Sequence, residues 1–372
     1  MIIVGDKMTE NKQKTEQALE NKCPSCTASM KFKPKLGKFK CDYCGSEFTL
    51  EELKKYNDNA ATDEKNKKKE NQKVVDKYDG YISYKCESCG AEIVADEATA
   101  ATFCVYCGNT AILQSKLSGE FTPSRIIPFK KEKDMAVDAF KGLSKGRPLM
   151  PKDFNNEKNI EKIKGVYIPF WLYDVKVSGD VNMNGTIVTH WSSGDTRYTK
   201  TDTYKVVRGG DMEYHSIPVD GSTHFDNDIM NTLEPFNYED LIPYNHAYLS
   251  GFYAEKYDEE GDSVLKEVSE RAINSTKTYL QNDAKQYTTK VISSNTLSAE
   301  EIDKEYVMLP VWMVNIKYNN KMHIFAMNGQ TGEFIGNIPI DKKKAVLYTI
   351  LIFVISAIIL SVLSYLIYKG GV

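Results

Sequence analysis

Eight cysteines form the pattern in this chain that has a defined chemistry. They stand at Cys23, Cys26, Cys41 and Cys44, and again at Cys86, Cys89, Cys104 and Cys107. Each set reads C-x2-C-x14-C-x2-C, and the second follows the first at an offset of 63 in all four positions. A C-x2-C turn points two thiolates at one ion. Two such turns joined by a short hairpin complete a tetrahedral shell of four sulfurs around Zn2+. Every position is Cys, so neither shell keeps a place open for water or substrate, and the expected metal is structural, one zinc ion per set. Disulfides are the alternative use of eight cysteines. The opening residues, Met1 to Met8, lack the basic region and sustained apolar run of a secretory signal, which favours a reducing compartment and metal.

The surroundings of the cysteines repeat as well, CPSC and CDYCG against CESCG and CVYCG. This predicts a duplicated zinc ribbon at 20–50 and 83–113. Gly45, Gly90 and Gly108 follow the cysteine turns, where a positive φ is useful. A module this small buries too little apolar surface to fold unaided, and metal binding worth about 10–16 kcal/mol would supply its stability.

The two modules differ in charge. The first carries Lys31, Lys33, Lys35, Lys38 and Lys40 interleaved with Phe32, Leu36 and Phe39, and is net +4 between Lys22 and Thr49. A basic, aromatic-studded hairpin suits phosphates and stacked bases. The second is net −3 between Tyr84 and Leu113. Opposite charges on two copies of one module argue against a matched pair of nucleic-acid readers. Protein contact is the leading expectation and nucleic acid the alternative. The whole chain, with 48 basic and 51 acidic residues and net charge −3, has no global attraction to nucleic acid.

At roughly 150 residues per domain, 372 residues suggest two or three domains. Residues 51–80 are charge-dense and read as a solvated linker or a single exposed helix, leaving the two ribbons as semi-independent beads. From 120 to 341 the composition is globular and reads as α+β with antiparallel strands. Helical spacing appears at Glu132–Leu143 and Ser263–Asn282, a strand meander runs from Gly165 through about Tyr214, and Asn328-Gly329 marks a hairpin turn. Pro169-Phe-Trp171-Leu-Tyr-Asp174-Val-Lys176 echoes Pro310-Val-Trp312-Met-Val-Asn315-Ile-Lys317 at an offset of 141, which predicts two related strands that each bury a tryptophan.

There is no G-x4-G-K-[ST] and no H-E-x-x-H. The five histidines are scattered; His215 and His224 lie near Asp220, Asp226 and Asp228 in a stretch that reads as a solvated loop rather than a second metal site. The expectation is a protein without chemistry of its own.

The last element is apolar. Ala345–Tyr368 contains no charged residue. As a helix its 24 residues rise about 36 Å at roughly 1.5 Å each, against about 30 Å of hydrocarbon. Tyr348, Tyr365 and Tyr368 sit near its ends, as interface residues do. Lys342, Lys343 and Lys344 precede the span and Lys369 follows it, which places the N-terminal side in the cytoplasm. The fold class expected is therefore multi-domain: two small zinc ribbons, an α+β central region and one C-terminal transmembrane helix, in a tail-anchored chain.

The ribbons, the strings IIPF (126–129), GVYIPFWLYD (165–174), PYNHAYLSGFYAEKY (243–257) and FAMNGQTGEFIGNIP (325–339), and the terminal span are similar to those of a bacterial family. The chain resembles the membrane-anchored zinc-ribbon proteins of Gram-positive bacteria labelled TFIIB-type or primosomal/helicase-like. The resemblance implies a membrane platform that recruits a cytosolic protein partner in envelope stress, of the SPFH or phage-shock kind found in the gene neighbourhoods of that family.

Overall fold

Val, Ile, Thr and Tyr crowd the stretch after Gly165, a composition suited to a pleated, half-buried surface. The computed structural model describes residues 21–56, 81–85, 92–96, 99–103, 110–112, 121–151, 154, 156–225, 227–319, 321–336 and 338–370. The first module is a three-stranded antiparallel sheet of β1 (Met30–Lys33), β2 (Lys38–Cys41) and β3 (Glu47–Phe48). Met30, Phe32, Phe39 and Cys41 alternate inward, the period of two that a strand imposes. Residues 50–56 form a short helix. Thr49 N–H reaches Glu52 Oε2 at 2.7 Å while Glu52 N–H reaches Thr49 Oγ1 at 3.3 Å, a reciprocal cap at the helix start. Leu53 on that helix is buried. The start of the expected linker is thus part of the core, and its remainder, 57–80, lies outside the described residues.

Four strands follow: β4 (Tyr81–Lys85), β5 (Glu92–Asp96), β6 (Thr99–Phe103) and β7 (Thr110–Ile112). The β6–β7 register repeats that of β2–β3. Phe39 faces Phe48 and Lys40 faces Glu47, and 63 residues on Thr102 faces Ala111 and Phe103 faces Thr110.

The body contains β8 (Arg125–Ile126), α1 (Lys133–Gly142), α2 (Glu157–Glu161), β9 (Lys164–Ser193), β10 (Thr196–Asp220) and α3 (Asn227–Thr232). It continues with β11 (Ile242–Pro243), β12 (Tyr253–Glu255), α4 (Gly261–Asp283), β13 (Thr289–Asn295), β14 (Ser298–Tyr318), β15 (Lys321–Asn328) and β16 (Phe334–Gly336). These strands, with β6 and β7, make one mixed sheet whose main path is β11-β8-β14-β9-β12-β6-β7. Most pairings are antiparallel, as expected; β8–β14 and β12–β9 are short parallel pairs.

The expected meander is instead one long hairpin. β9 and β10 pair from Ser193/Thr196 down to Phe170/Asp220, with one bulge between Tyr214 and Ile217. Gly194 with φ of 57° makes the tip, while Gly179 and Gly210 face each other inside the ladder. Near the tip Trp191 and Tyr198 are exposed and stacked, with centroids 5.4 Å apart. Closer to the body, β9 buries Val175, Val177, Val181 and Met183 at alternate positions. α4 meets this face with Val264, Val268, Ala272, Thr276 and Leu280, four residues apart and therefore on one stripe.

An aromatic hub fills the other side. Phe129 stacks on Phe252 with centroids 4.1 Å apart and lies 5.0 Å from both Tyr167 and Trp312. Of the two echoed tryptophans, Trp312 is buried and Trp171 half-buried, and each indole N–H donates to a carbonyl at 2.9 Å, Lys131 O and Glu259 O respectively. The chain ends in α5 (Lys342–Gly370), long and apolar enough to cross a membrane. Asp341 Oδ1 accepts from Lys343 N–H at 2.9 Å and caps this helix, and Lys344 Nζ donates to Met150 O at 2.6 Å, tying its first turn to the body.

Phe129→Ala leaves a cavity under Phe252, Tyr167 and Trp312. It should lower unfolding stability of the full chain in detergent by about 3–5 kcal/mol. Tyr198→Ala, at the exposed hairpin end, should change it by less than about 0.5 kcal/mol. Denaturant midpoints at unchanged slope measure both.

Candidate metal centre

The first cysteine set comes together at one point. The Sγ atoms of Cys23, Cys26, Cys41 and Cys44 all lie within 4.8 Å of one another. Cys26 and Cys41 are 3.5 Å apart and Cys23 and Cys44 3.6 Å. A tetrahedron with Zn–S bonds of about 2.3 Å has sulfurs about 3.8 Å apart, so the four fit such an ion. All four are free thiols, which sets aside the disulfide alternative for this set.

Local backbone builds the two turns. Cys23 N–H donates to Ala28 O and Thr27 N–H to Cys23 O in the first; Cys41 N–H donates to Ser46 O and Gly45 N–H to Cys41 O in the second. Gly45 has φ of 77°, a conformation that a residue with a Cβ adopts only with strain. Four thiols this close cannot all ionise without a cation. Cys44, helped by the Ser46 side chain and backbone, is pushed down to about 6. Cys26, although the Ala28 backbone lowers it, is pushed up to about 12 by burial and its neighbouring thiols. A divalent ion would hold all four as thiolates.

The centre is seated on the body. Phe32 and Phe39, which suggested a base-stacking surface, are buried and pack on Tyr248 with centroids 5.2 and 5.8 Å away. Phe32 N–H donates to Ser250 O at 3.0 Å, and Asn21 Nδ2 to Ser250 Oγ at 2.5 Å. The module is therefore no free bead. Four of its lysines are engaged too: Lys31 and Lys33 with Asp42, Lys40 with Glu47, and Lys35 with Glu132 of the body. Tyr43, between the second pair of cysteines, is exposed, as is Leu36. A cleft of about 510 Å3 lies where module and body meet, with Lys33 and Pro34 on one side, Tyr253 and Trp312 below, and Phe103 from β6 on another. Tyr248 and Ser250 carry no sequence signal as seat residues; Leu241–Tyr257, which contains them, reads in the sequence as a loop running into a helix, and folds as a 3-10 turn at His246–Leu249 followed by β12.

Cys86, Cys89, Cys104 and Cys107 lie outside the described residues. β6, which leads into Cys104, pairs with β12 through Ala101 and Ala254 and so joins the body sheet. Among the described residues no other group of three His, Cys, Asp or Glu converges as the four cysteines do. His215 is bonded to Asp174 at 2.9 Å, and His224 lies 3.2 Å from Glu255. Asp220 is buried rather than solvated. The string Gly142-Leu-Ser144-Lys-Gly146 has the G-x-S-x-G form, but it follows a helix rather than a strand, and Ser144 Oγ donates to Lys141 O at 3.2 Å; a nucleophile elbow needs the strand-to-helix turn.

These features define an α+β protein with a tetracysteine module packed on its body and one apolar C-terminal helix. The chain belongs to the family of YdjG, an uncharacterized protein of Bacillus subtilis (strain 168), with 34% identity over 323 residues, 87% of this chain and 91% of that one. No protein-family model matches the chain, and no solved structure matches it significantly.

Cys41→Ser should abolish tight metal binding at this centre and release the module from Tyr248. Cobalt substitution should show thiolate-coordinated bands in the parent and lose the part that comes from this centre in the variant. Hydrogen exchange at Phe32 N–H should become fast while β9 and β14 stay protected.

Proposed function

We propose that this protein is a tail-anchored membrane adaptor that holds two zinc ribbons on a cytoplasmic α+β body and recruits protein partners to the bilayer. The observation that carries this reading is mechanical continuity. The tetracysteine module is bonded to Ser250 and packed on Tyr248, and the same body ties down the first turn of the apolar helix through Met150 O. A surface presented on such a unit keeps a fixed relation to the helix start. Exposed Tyr43 and the aromatic-floored cleft beside Lys33 and Pro34 suit a protein contact, since interface cores favour Tyr and Trp.

The second ribbon, with zinc on Cys86, Cys89, Cys104 and Cys107, is supported by the shared spacing and by the β6–β7 register that repeats β2–β3. The three lysines before the helix against one after it support an N-terminal body in the cytoplasm. Partners of the SPFH or phage-shock kind follow from the resemblance to TFIIB-type zinc-ribbon membrane proteins. Nucleic-acid binding is the other reading. It is weakened by the burial of Phe32 and Phe39 and by the ion pairs of Lys31, Lys33, Lys35 and Lys40.

Capture from nuclease-treated membranes, full-length chain against a variant with all eight cysteines changed to Ser, tests the proposal. Membrane-associated proteins retained by the parent and lost by the variant are the expected result. Partners that vanish with nuclease, and binding that falls steeply between about 50 and 200 mM salt, would point to nucleic acid instead.

A further inference from the structure

The echo between 169–176 and 310–317 is a two-fold relation in space. β9 and β14 pair antiparallel with Ile168 opposite Leu309, and these two residues are themselves related by the offset of 141. A pseudo-dyad passes through that pair and carries its surroundings onto one another. β12 lies parallel to β9 with Ala254 opposite Tyr167, and β8 lies parallel to β14 with Ile126 opposite Met308. Trp171 bonds Glu259 O, two residues before α4; Trp312 bonds Lys131 O, two residues before α1. Gly221 N–H donates to Pro169 O at 2.9 Å, and Gly221 O accepts from Asp258 and Glu259 N–H. Gly329 N–H donates to Pro310 O at 2.8 Å, and Gly329 O accepts from Lys130 and Lys131 N–H.

A buried polar residue precedes each glycine, Asn328 in one junction and Asp220 in the other, neither more than 1% exposed. Asn328 is fully bonded. Its Oδ1 accepts from Gln330 and Thr331 N–H at 2.9 and 3.0 Å, and its Nδ2 donates to Leu233 O and Pro235 O at 3.0 and 3.4 Å. Asp220 Oδ1 accepts from Ser222 N–H at 3.2 Å, in the manner of Asn328. Its Oδ2 is buried with no hydrogen-bond partner among the described residues.

The groups around it are mostly acidic. Asp258 and Glu259 face it from the loop after β12 and Glu267 from α4. Glu255 on β12 is reached through Ser222 Oγ at 3.4 Å. His224 lies 3.2 Å from Glu255 and 4.0 Å from Asp258. Arg271 of α4 donates to Pro218 O and is paired with Glu234. A buried carboxylate oxygen without a donor, among carboxylates, is stabilised by gaining a proton.

We propose that Asp220 is a proton-binding site built into one of two otherwise equivalent junctions: its neutral form lets loop 221–225 pack on residues 255–260, and its ionisation loosens that packing. Burial, reinforced by Glu259, Glu267 and Asp258, pushes this carboxyl up to about 6 from 3.8. A folded-state value above the unfolded one makes the contribution full below about pH 4 and lost as pH rises through about 6.

Hydrogen exchange of the full-length chain in detergent, corrected for intrinsic pH dependence, tests this in peptides covering 217–225 and 253–260. Between pH 5 and 8 the local opening constant should rise about tenfold in the parent. Asp220→Asn, which copies the residue of the equivalent junction, should remove that rise. Asp258→Asn leaves Asp220 in place and should move the midpoint to lower pH. Parallel profiles for the parent and Asp220→Asn, or an unmoved midpoint in Asp258→Asn, would overturn the proposal. So would protection of the parent at pH 8 by millimolar Mg2+ or Ca2+ that Asp220→Asn lacks, which would make the ligand a metal cation.

Discussion

The antiparallel ladder between β9 and β14 runs from Lys164 opposite Met313 to Ser178 opposite Ser298, and the rest of the body is arranged on it. Both strands are flanked on their outer sides, β9 by β12 and β10, β14 by β8 and β15. The aromatic hub of Phe129, Tyr167, Phe252 and Trp312 is assembled from four segments that meet only because this register holds. A slip of one residue would turn Tyr167, Tyr173, Val175 and Val177 to the opposite face. The bulges beside Asp174, at Ile302 on β14 and at His215-Ser216 on β10, absorb local mismatch without a slip. Gly165 sits at the end of the ladder because a Cβ there would meet Phe252 at 2.6 Å.

Metal and core are coupled at the N-terminal module. Its own interior is little more than Met30, Phe32, Phe39, Leu53 and two cysteines, and these belong to the same apolar cluster as Tyr167 and Phe252 of the body. The module thus has two sources of order, the four cysteines that could hold a metal ion on one side and burial against Tyr248 on the other. Burial alone is small for about thirty residues, and a bound ion would add the larger share. Together they explain why a lysine-rich hairpin can sit still: Phe32 and Phe39 point into the molecule, and Lys33 and Lys35 between them reach ion pairs with Asp42 and Glu132 worth little individually.

What the sequence made legible was local. Cysteine spacing names four ligands because two turns and a hairpin suffice to bring them together. The apolar run names α5 because length and composition alone decide it. The helix at 133–142 was legible from its spacing within a residue or two. The long hairpin was not, because glycine is used in two ways in β9 and β10: Gly194 bends the chain, while Gly179 and Gly210 pair across the ladder. The seat of the first module was hidden for a different reason. Tyr248 and Ser250 are more than two hundred residues from Phe32 and Asn21, and no periodicity reports a contact of that separation. The echo at 141 was legible as two related strands, but that they pair with each other is a property of the sheet.

That pairing also explains an asymmetry in how the chain leaves its two junctions. After Gly329 the chain runs through β16 to Asp341 and the apolar helix. After Gly221 it runs through α3 to the turn at His246–Leu249, where the tetracysteine module is seated. Asn328, whose four hydrogen bonds are all internal, stands at the exit toward the helix. Asp220, whose Oδ2 has no hydrogen-bond partner among the described residues, stands at the exit toward the module, and the loop that follows it packs on residues 255–260, which continue from β12, whose neighbour Phe252 closes the hub and lines the cleft. One scaffold repeated about a dyad therefore carries two junctions of unlike chemistry: a fully bonded amide on the way to the bilayer-length helix, and on the way to the tetracysteine module a carboxyl with one buried oxygen that has no partner among the described residues.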